Sequence, residues 1–280
     1  MIDLHLHTTA SDGRLSPAEL VDRASRAGLT VMSVTDHDTV QAVDETTVEA
    51  GTRGIRVIPG VEITAVDDGR DVHMLAYFVD HHDEALLRFL TRQRGLREER
   101  AREIGRRLAA LGVPIDMDVL LEHARATPGT SIARPWLARE LVRAGHVASV
   151  QEAFDRWLAQ GQPAFVPRIG HSPFDIIEIA HASGGIVSFA HPSVTKKDGL
   201  LAPLAEAGLD AVEVYHSDHP AEACEHYGRL AGTLGLAASG GSDFHGYGET
   251  RATLGSVHLP AADFAVLEAR ALTARPPAPR

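Results

Sequence analysis

The sequence predicts an α/β protein in which strands and helices alternate, interrupted once by a run of helices with no strand between them. Three observations carry this. Short β-rich runs such as Leu29 to Thr35 and Ile186 to Ala190 alternate with capped helical patterns. Residues of metal-ligand type recur at or near the ends of those runs, where open α/β sheets and barrels place their sites. From about residue 98 to 165 the strand signals stop, which reads as a helical subdomain inserted into a domain built from 1–97 and 166–280.

In order, Ile2-Asp3-Leu4-His5-Leu6-His7 reads as the first strand. Alternate residues share a face, so His5 and His7 look one way while Ile2, Leu4 and Leu6 look into a core. A polar turn, Thr8 to Arg14, precedes Ser16-Pro17-Ala18-Glu19, a capping box with proline at the first helical position. A helix should run to about Ala27 and stop at Gly28. The run Leu29 to Thr35 leads into Asp36-His37-Asp38, and a helical pattern from about Val40 to Ala50 breaks at Gly51 to Gly54. Ile55 to Ile63 reads as a strand broken at Pro59-Gly60, with Glu62 beyond the break, and Asp71 to Val79 is a strand carrying His73.

The middle of the chain changes character. Asp83 to Leu111 is one long arginine-rich helix, and Glu98, Glu99 and Glu103 lie three or four residues from several arginines, so this reads as a solvated, salt-bridged face. Its one aromatic, Phe89, does not make a row suited to stacking nucleobases. Gly112-Val113-Pro114 ends it, and helical patterns follow at about Asp116 to Ala124, Ile132 to Ala144 and Ser149 to Leu158.

The alternation then resumes. A helix from Ser172-Pro173 to about His181, a strand Ile186 to Ala190 ending in His191-Pro192, and a helix around Leu200 to Ala207 come first. The strand Ala211 to Tyr215 ends at His216, a helix spans Ala221 to Leu234, and Ala237-Ala238-Ser239 leads to Gly240-Gly241-Ser242-Asp243-Phe244-His245. Val257 to Leu259 reads as a last short strand, and the tail from Ala274, with three prolines, as loose chain. Lys196 and Lys197 read as a solvated loop.

Composition narrows the function classes. The chain has 280 residues, enough for one barrel-sized domain or two small ones, and 44% of them are hydrophobic. No apolar run approaches the roughly 20 residues that span a bilayer, and a strand beginning at residue 2 leaves no room for a removable leader. A single cysteine, Cys224, excludes an internal disulfide and fits a reducing cytoplasm. Sixteen histidines beside that cysteine point to nitrogen and oxygen metal chemistry. A formal charge of -11 opposes a broad electrostatic grip on duplex nucleic acid, so a phosphate-bearing substrate would be held locally, by metals or a few arginines. Nothing in the sequence points to an obligate protein partner.

His5, His7, Asp12, His37, Glu62, His73, His191, Asp243 and His245 nearly all lie at or just past strand ends, and Asp243 with His245 repeats the spacing of His5 with His7. Each alone has a plain structural explanation; together they exceed what one ion accepts and suit two or three ions sharing a carboxylate. Glu62 is the natural bridge, because a carboxylate has two oxygens to offer.

These motifs, His5-Leu6-His7, Thr35-Asp36-His37-Asp38, Pro59-Gly60-Val61-Glu62, Ala190-His191-Pro192 and Ser242-Asp243-Phe244-His245, resemble those of the PHP (polymerase and histidinol phosphatase) family in order and spacing. The resemblance covers nearly the whole chain and implies a distorted seven-stranded (β/α) barrel with a trinuclear site. By that similarity the first ion takes His5, His7, Glu62 and Asp243, the second Glu62, His73 and His191, and the third Asp12, His37 and His245. Manganese, iron or zinc fits such ligands. Within the family the chain resembles the stand-alone phosphoesterases that act on nucleoside 3′,5′-bisphosphates and on short RNA 5′ ends, through Asp12, the helical insert, Ile132-Ala133-Arg134 and Glu213-Val214-Tyr215-His216. One departure is Trp136, where relatives usually carry histidine. Tryptophan neither ligates nor shuttles a proton, so a substrate contact is lost there or replaced by stacking.

The chemistry expected of such a site is hydrolysis of a nucleotide phosphate ester. Bridged ions make hydroxide available near neutral pH and neutralise the phosphoryl oxygens. Glu62 and His191 would carry the catalytic ions. Arg134 and Arg168 are candidates to grip phosphate, and His216 to protonate the leaving oxygen or orient a ligand. Histidinol phosphate remains an alternative substrate. Two other classes stay open: hydrolysis of a C–N bond, which a strand-end lysine bridging two ions would favour and which the sequence lacks, and a catalytically silent metal-binding module, against which the full ligand set speaks.

Overall fold

Pro59 has no N–H to give a ladder, and it splits the third strand in two. β3 (Arg56–Val57) closes a parallel sheet with β1 (Ile2–Leu6) and β2 (Val31–Val34), and β4 (Gly60–Asp67) begins a second sheet. The computed structural model describes residues 1–126, 132, 134–247 and 253–274, and of residues 123–126 the backbone alone. The chain beyond Ala274, expected to be loose, and Ala133 lie outside the described residues.

The helix α1 (Pro17–Arg26) forms as its capping box directs: Ser16 N–H donates to Glu19 Oε2 at 2.8 Å and Glu19 N–H to Ser16 Oγ at 3.3 Å. It packs Leu20, Val21 and Ala24 against Leu6, Met32 and Val34, which fixes β1 and β2 beneath it. After β2 and α2 (Val43–Gly51), β4 turns back as β5 (Arg70–Tyr77) through Asp68 and Gly69. Both turn residues have positive φ, 50° and 71°, the conformation of a two-residue hairpin. β5 therefore runs antiparallel to β4 and to β6 (Ile186–Phe189), while β6, β7 (Ala211–His216) and β8 (Ala237–Gly241) are parallel. The second sheet has the order β4-β5-β6-β7-β8.

The mixed α/β class stands. The described strands number eight, in two sheets whose paired ladders do not run round as one closed barrel. Two isolated parallel bridges, Leu6 to Phe244 and His37 to Glu62, link the sheets. The first crossing is possible because Gly241 passes against the His5 backbone, where any Cβ would overlap the His5 amide.

Between β5 and β6 stand α3 (Glu84–Ala110), α4 (Met117–Ala126), α5 (Arg134–Arg143) and α6 (Val150–Ala153), the last continued by a π-helical turn over Phe154–Leu158. Their apolar residues, among them Ile104, Leu108, Leu121, Leu137 and Leu141, form a core of their own. α3 spans both cores, with Leu86 and Leu90 in that of the sheet and Ala101, Ile104 and Leu108 in that of the insert. Trp136 packs on the insert core.

The rest follows the expected alternation: α7 (Pro173–Ala182), β6, α8 (Pro192–Thr195), α9 (Leu201–Glu206), β7, α10 (Ala221–Leu234) and β8. Val257 to Leu259 is not a strand. Leu259 N–H donates to Ile2 O at 2.9 Å, which ties the segment to β1, and Pro260 then leads into α11 (Ala261–Ala274), a helix not expected from the sequence. Its buried Phe264, Leu267 and Ala271 have the helical spacing that signals it. Lys197 is not a solvated loop residue, since its ammonium is held by the Asp67 carboxylate and by Asp67 O. Among the described residues no helix is long and apolar enough to cross a membrane.

Candidate metal centre

Glu62 stands at the middle of the site and is almost fully buried. Around its Oε2 lie His5 Nε2 at 3.3 Å, His7 Nε2 at 3.2 Å and His37 Nδ1 at 3.1 Å; around Oε1 lie His73 Nδ1 at 2.7 Å and His191 Nε2 at 3.1 Å. Asp243 Oδ1 approaches His5 Nε2 at 3.4 Å, His7 Nε2 at 3.2 Å and His245 Nδ1 at 3.4 Å. Asp12 closes the other side, 3.2 Å from His245 Nε2 and 3.9 Å from His37 Nε2. All nine residues singled out in the sequence are thus brought together. His5, His7 and Asp12 come from β1 and the loop after it, His37 from the loop after β2, Glu62 and His73 from within β4 and β5, His191 from the turn after β6, and Asp243 with His245 from the loop after β8.

The ligand atoms cluster in groups that share the first expected set but place His37, not His191, with Glu62 and His73 and add His7 to Asp12, His37 and His245. His5, His7, Glu62 and Asp243 have ligand atoms within 4.8 Å of one another, as do His7, Asp12, His37 and His245, and also His37, Glu62 and His73. The donor set passes a physical test for cations. Buried His5 Nε2, His7 Nε2, His37 Nδ1, His73 Nδ1, His191 Nδ1 and Glu62 Oε2 have no hydrogen-bond partner within the protein. Each such orphan costs about 1–3 kcal/mol, so their concentration in one place calls for a partner other than protein. The carboxylates are held ionised. Burial alone would raise Glu62, but His37, His73 and His5 outweigh it and keep the carboxyl well below its ordinary range. Burial likewise opposes the ionisation of Asp243 and Asp12, and their histidine neighbours override it.

Outer contacts turn the rings. His245 Nδ1 donates to Asp243 O at 2.9 Å, and Ser11 Oγ, itself spent as a donor to Asp36, lies 3.4 Å from His7 Nδ1, which leaves Nε2 of both histidines facing inward as a free donor atom. Asp36 accepts from Thr8 N–H at 2.8 Å and from the Thr8 hydroxyl at 2.6 Å, and so holds the turn that carries Asp12. His216 differs: its Nδ1 accepts from Asp218 N–H at 3.0 Å, so the neutral ring carries its proton on Nε2, 3.5 Å from Asp243 Oδ2. A protonated nitrogen donates and does not ligate.

Two spaces open from the centre. One, about 130 Å³, lies between Asp12, His37 and His73 on one wall and Arg97, Arg100, Arg134 and Arg168 on the other. The second, about 820 Å³, is a broad cleft bounded by His191, His216 and Asp243 together with Val194, Ser217, Asp218 and Thr253. Arg134 and Arg168, expected as phosphate contacts, both face the smaller space. Arg168 pairs with Asp71 at 3.2 Å, and burial together with the nearby Arg97 pulls its pKa down to about 9, so an anion entering the space would relieve it. Arg134 donates to Leu158 O at 3.4 Å and lies over the rings of Phe154 and Phe165, at 5.9 Å and 5.7 Å. Trp136 is not part of this lining.

Arg97 and Arg100 correct the reading of α3 as a wholly solvated face. Arg88, Arg102, Arg106 and Arg107 do pair with glutamates on the surface. Arg97, however, is buried, bonded to Thr64 Oγ1 and 2.5 Å from Asp38 Oδ2, while Arg94 donates to Asp38 O at 2.7 Å and Gln93 to Thr64 O at 2.9 Å. The signal was present: Leu86, Leu90, Gln93, Arg97, Ala101, Ile104 and Leu108 form a single inward stripe at helical spacing, with two polar residues inside it. Replacing Arg97 by methionine leaves Asp38 buried and unpaired and is expected to destabilise the protein by about 3–5 kcal/mol in urea unfolding. Pairing the change with Asp38→Asn should recover part of that loss.

The PHP domain family model matches residues 3–135. A Haemophilus influenzae protein named 5′-3′ exoribonuclease is 38% identical over 87% of this chain and 89% of its own length. A Chromobacterium violaceum 3′,5′-nucleoside bisphosphate phosphatase is 32% identical over 89% of this chain and 88% of its own. A Bifidobacterium adolescentis crystal structure, described as a metal-dependent phosphoesterase, superposes with a TM-score of 0.83 at 32% identity over 96% of both chains. On these matches the chain belongs to the PHP domain family, as a metal-dependent phosphoric ester hydrolase.

Proposed function

We propose that this chain hydrolyses the 3′-phosphate of nucleoside 3′,5′-bisphosphates, with His5, His7, Asp12, His37, Glu62, His73, His191, Asp243 and His245 holding two or three divalent ions such as manganese, iron or zinc. Such ions, when bound, supply Lewis acidity toward the phosphoryl oxygens and lower the pKa of a coordinated water. The observation that carries the substrate assignment is the four-arginine space opening directly off the centre beside Asp12, His37 and His73. A nucleotide with two phosphates can place one at the centre and the other among Arg97, Arg100, Arg134 and Arg168, which fixes the reacting ester in line. His216, whose neutral ring carries an N–H on Nε2 at the edge of the broad cleft, would donate a hydrogen bond to the leaving oxygen or orient a ligand. The insert, residues 98–165, acts as a cap that brings Arg100 and Arg134 over the centre. The bridges Leu6 to Phe244 and His37 to Glu62 support reading the two sheets as one distorted barrel around it.

A second reading, exonucleolytic release of nucleotides from short RNA 5′ ends, is favoured by the broad cleft of about 820 Å³, which has room for a leaving group larger than a nucleoside. A phosphate- and nucleotide-release screen with added manganese separates the two. The panel holds nucleoside bisphosphates, monophosphates, 5′-phosphorylated RNA trimers and histidinol phosphate. Preferred release of inorganic phosphate from the bisphosphate supports the main reading. Preferred release of mononucleotides from the trimer supports the second, and a preference for histidinol phosphate contradicts both.

A further inference from the structure

We propose that Glu213 is a positioning residue that sets two histidines of the centre at once, the ring of His5 and the backbone of His191; this rests on reading both as ion ligands. Glu213 lies in β7 and is wholly buried, at a point where the pairing of β7 with β8 shifts register between Glu213 and Tyr215, an irregularity of the kind that re-aims a side chain. Both of its oxygens are committed. Oε1 lies 2.9 Å from His5 Nδ1, and Oε2 accepts the His191 N–H at 2.7 Å.

The first contact selects a tautomer. A carboxylate can only accept, so His5 carries its proton on Nδ1 and presents a bare Nε2. That Nε2 is buried, lacks a hydrogen-bond partner, and lies between Glu62 Oε2 and Asp243 Oδ1. The second contact holds a strained backbone. His191 sits at φ 28° and ψ 61°, where residues other than glycine are rare, and Pro192 follows as the first residue of α8. Such a conformation persists where surrounding groups over-determine it, and the Glu213 carboxylate supplies one of those constraints. His5, Glu213 and His216 lie close enough together to suggest an ion site of their own. Their atoms are already spent: both Glu213 oxygens are bonded, His5 Nδ1 donates to one of them, and His216 Nε2 carries a proton.

The chemistry makes the role testable, because glutamine has nearly the same shape but offers only one accepting atom. Both partners of Glu213 are donors. In Glu213→Gln the amide therefore either releases the His191 N–H or turns His5 to the tautomer with its proton on Nε2, which cannot ligate.

The experiment is long-range ¹H–¹⁵N NMR of histidine-labelled protein loaded with diamagnetic zinc, with the His5 signals assigned by their loss in His5→Gln. It is paired with calorimetric titration of manganese or zinc. The parent should show His5 protonated on Nδ1. Glu213→Gln should show Nε2 protonation or a displaced His191 amide signal, and about 10- to 100-fold weaker binding at the tightest site, the usual effect of losing an outer-shell carboxylate. A parent His5 protonated on Nε2 overturns the proposal, as does Glu213→Gln binding metal with parental affinity. If the variant does not fold, the parent tautomer decides alone. Neither arm uses substrate, so failure of the nucleotide assignment leaves this test unaffected, and its own failure leaves that assignment standing.

Discussion

Glu62→Gln is expected to lose bound metal and nearly all phosphoesterase activity, by about 10³-fold or more in kcat/KM, because an interaction worth several kcal/mol in the transition state disappears. Five imidazoles converge on this one carboxylate, three on Oε2 and two on Oε1. Glutamine has the same size but no charge, and its amide nitrogen would face imidazole nitrogens with a donor. No other residue of the site touches as many proposed ligands, so this substitution removes the shared anion for more than one ion. His191→Ala, which takes away one ligand of a single ion, should cost less metal than Glu62→Gln. Elemental analysis together with turnover of an aryl phosphate measures both. A Glu62→Gln protein that keeps the parental metal content and rate would remove Glu62 from the bridging role.

The second large effect concerns Arg134. In the parent, a nucleoside 3′,5′-bisphosphate should be cleaved about ten- to a hundredfold more efficiently than the matching 3′-monophosphate, since one charge-assisted contact to the remote phosphate is worth about 1.5–3 kcal/mol. Arg134→Ala should erase most of that preference and leave hydrolysis of a simple aryl phosphate near the parental rate, because Arg134 stands in the arginine wall of that space, opposite Asp12, His37 and His73, and is not itself a proposed ligand. The ring faces of Phe154 and Phe165 pre-set this guanidinium, so Arg134→Lys, which cannot stack as a plane, should restore only part of the preference. Equal kcat/KM for the two nucleotides in the parent would refute the assignment of the arginine space to a second phosphate.

The proposed ligands were legible in the sequence because histidine and carboxylate side chains at strand ends have few purely structural uses in such numbers. The i, i+2 spacing of His5 with His7 and of Asp243 with His245 showed a shared face before any fold was known. The arginine wall was less legible. Charged residues on a long helix are ordinarily solvated, and only knowing which side of α3 meets the sheet separates Arg97, facing Asp38, from Arg102, facing Glu98. The β4–β5 hairpin turned on a local signal, Asp68-Gly69, that the expectation of regular strand–helix alternation outweighed. α11 was missed because its apolar positions are diluted by alanine, so Phe264, Leu267 and Ala271 stand out only as one buried face. Glu213 was visible as part of a motif, but its role depends on two partners at residues 5 and 191, a distance along the chain that no local pattern spans.

The number of ions held at the centre is the most direct test of a shared Glu62 carboxylate. Elemental analysis of the pure parent protein, reconstituted with manganese, zinc or iron and freed of loosely bound metal, should find two to three ions per chain. One ion or fewer after reconstitution would contradict a centre built by nine ligands around the shared carboxylate of Glu62.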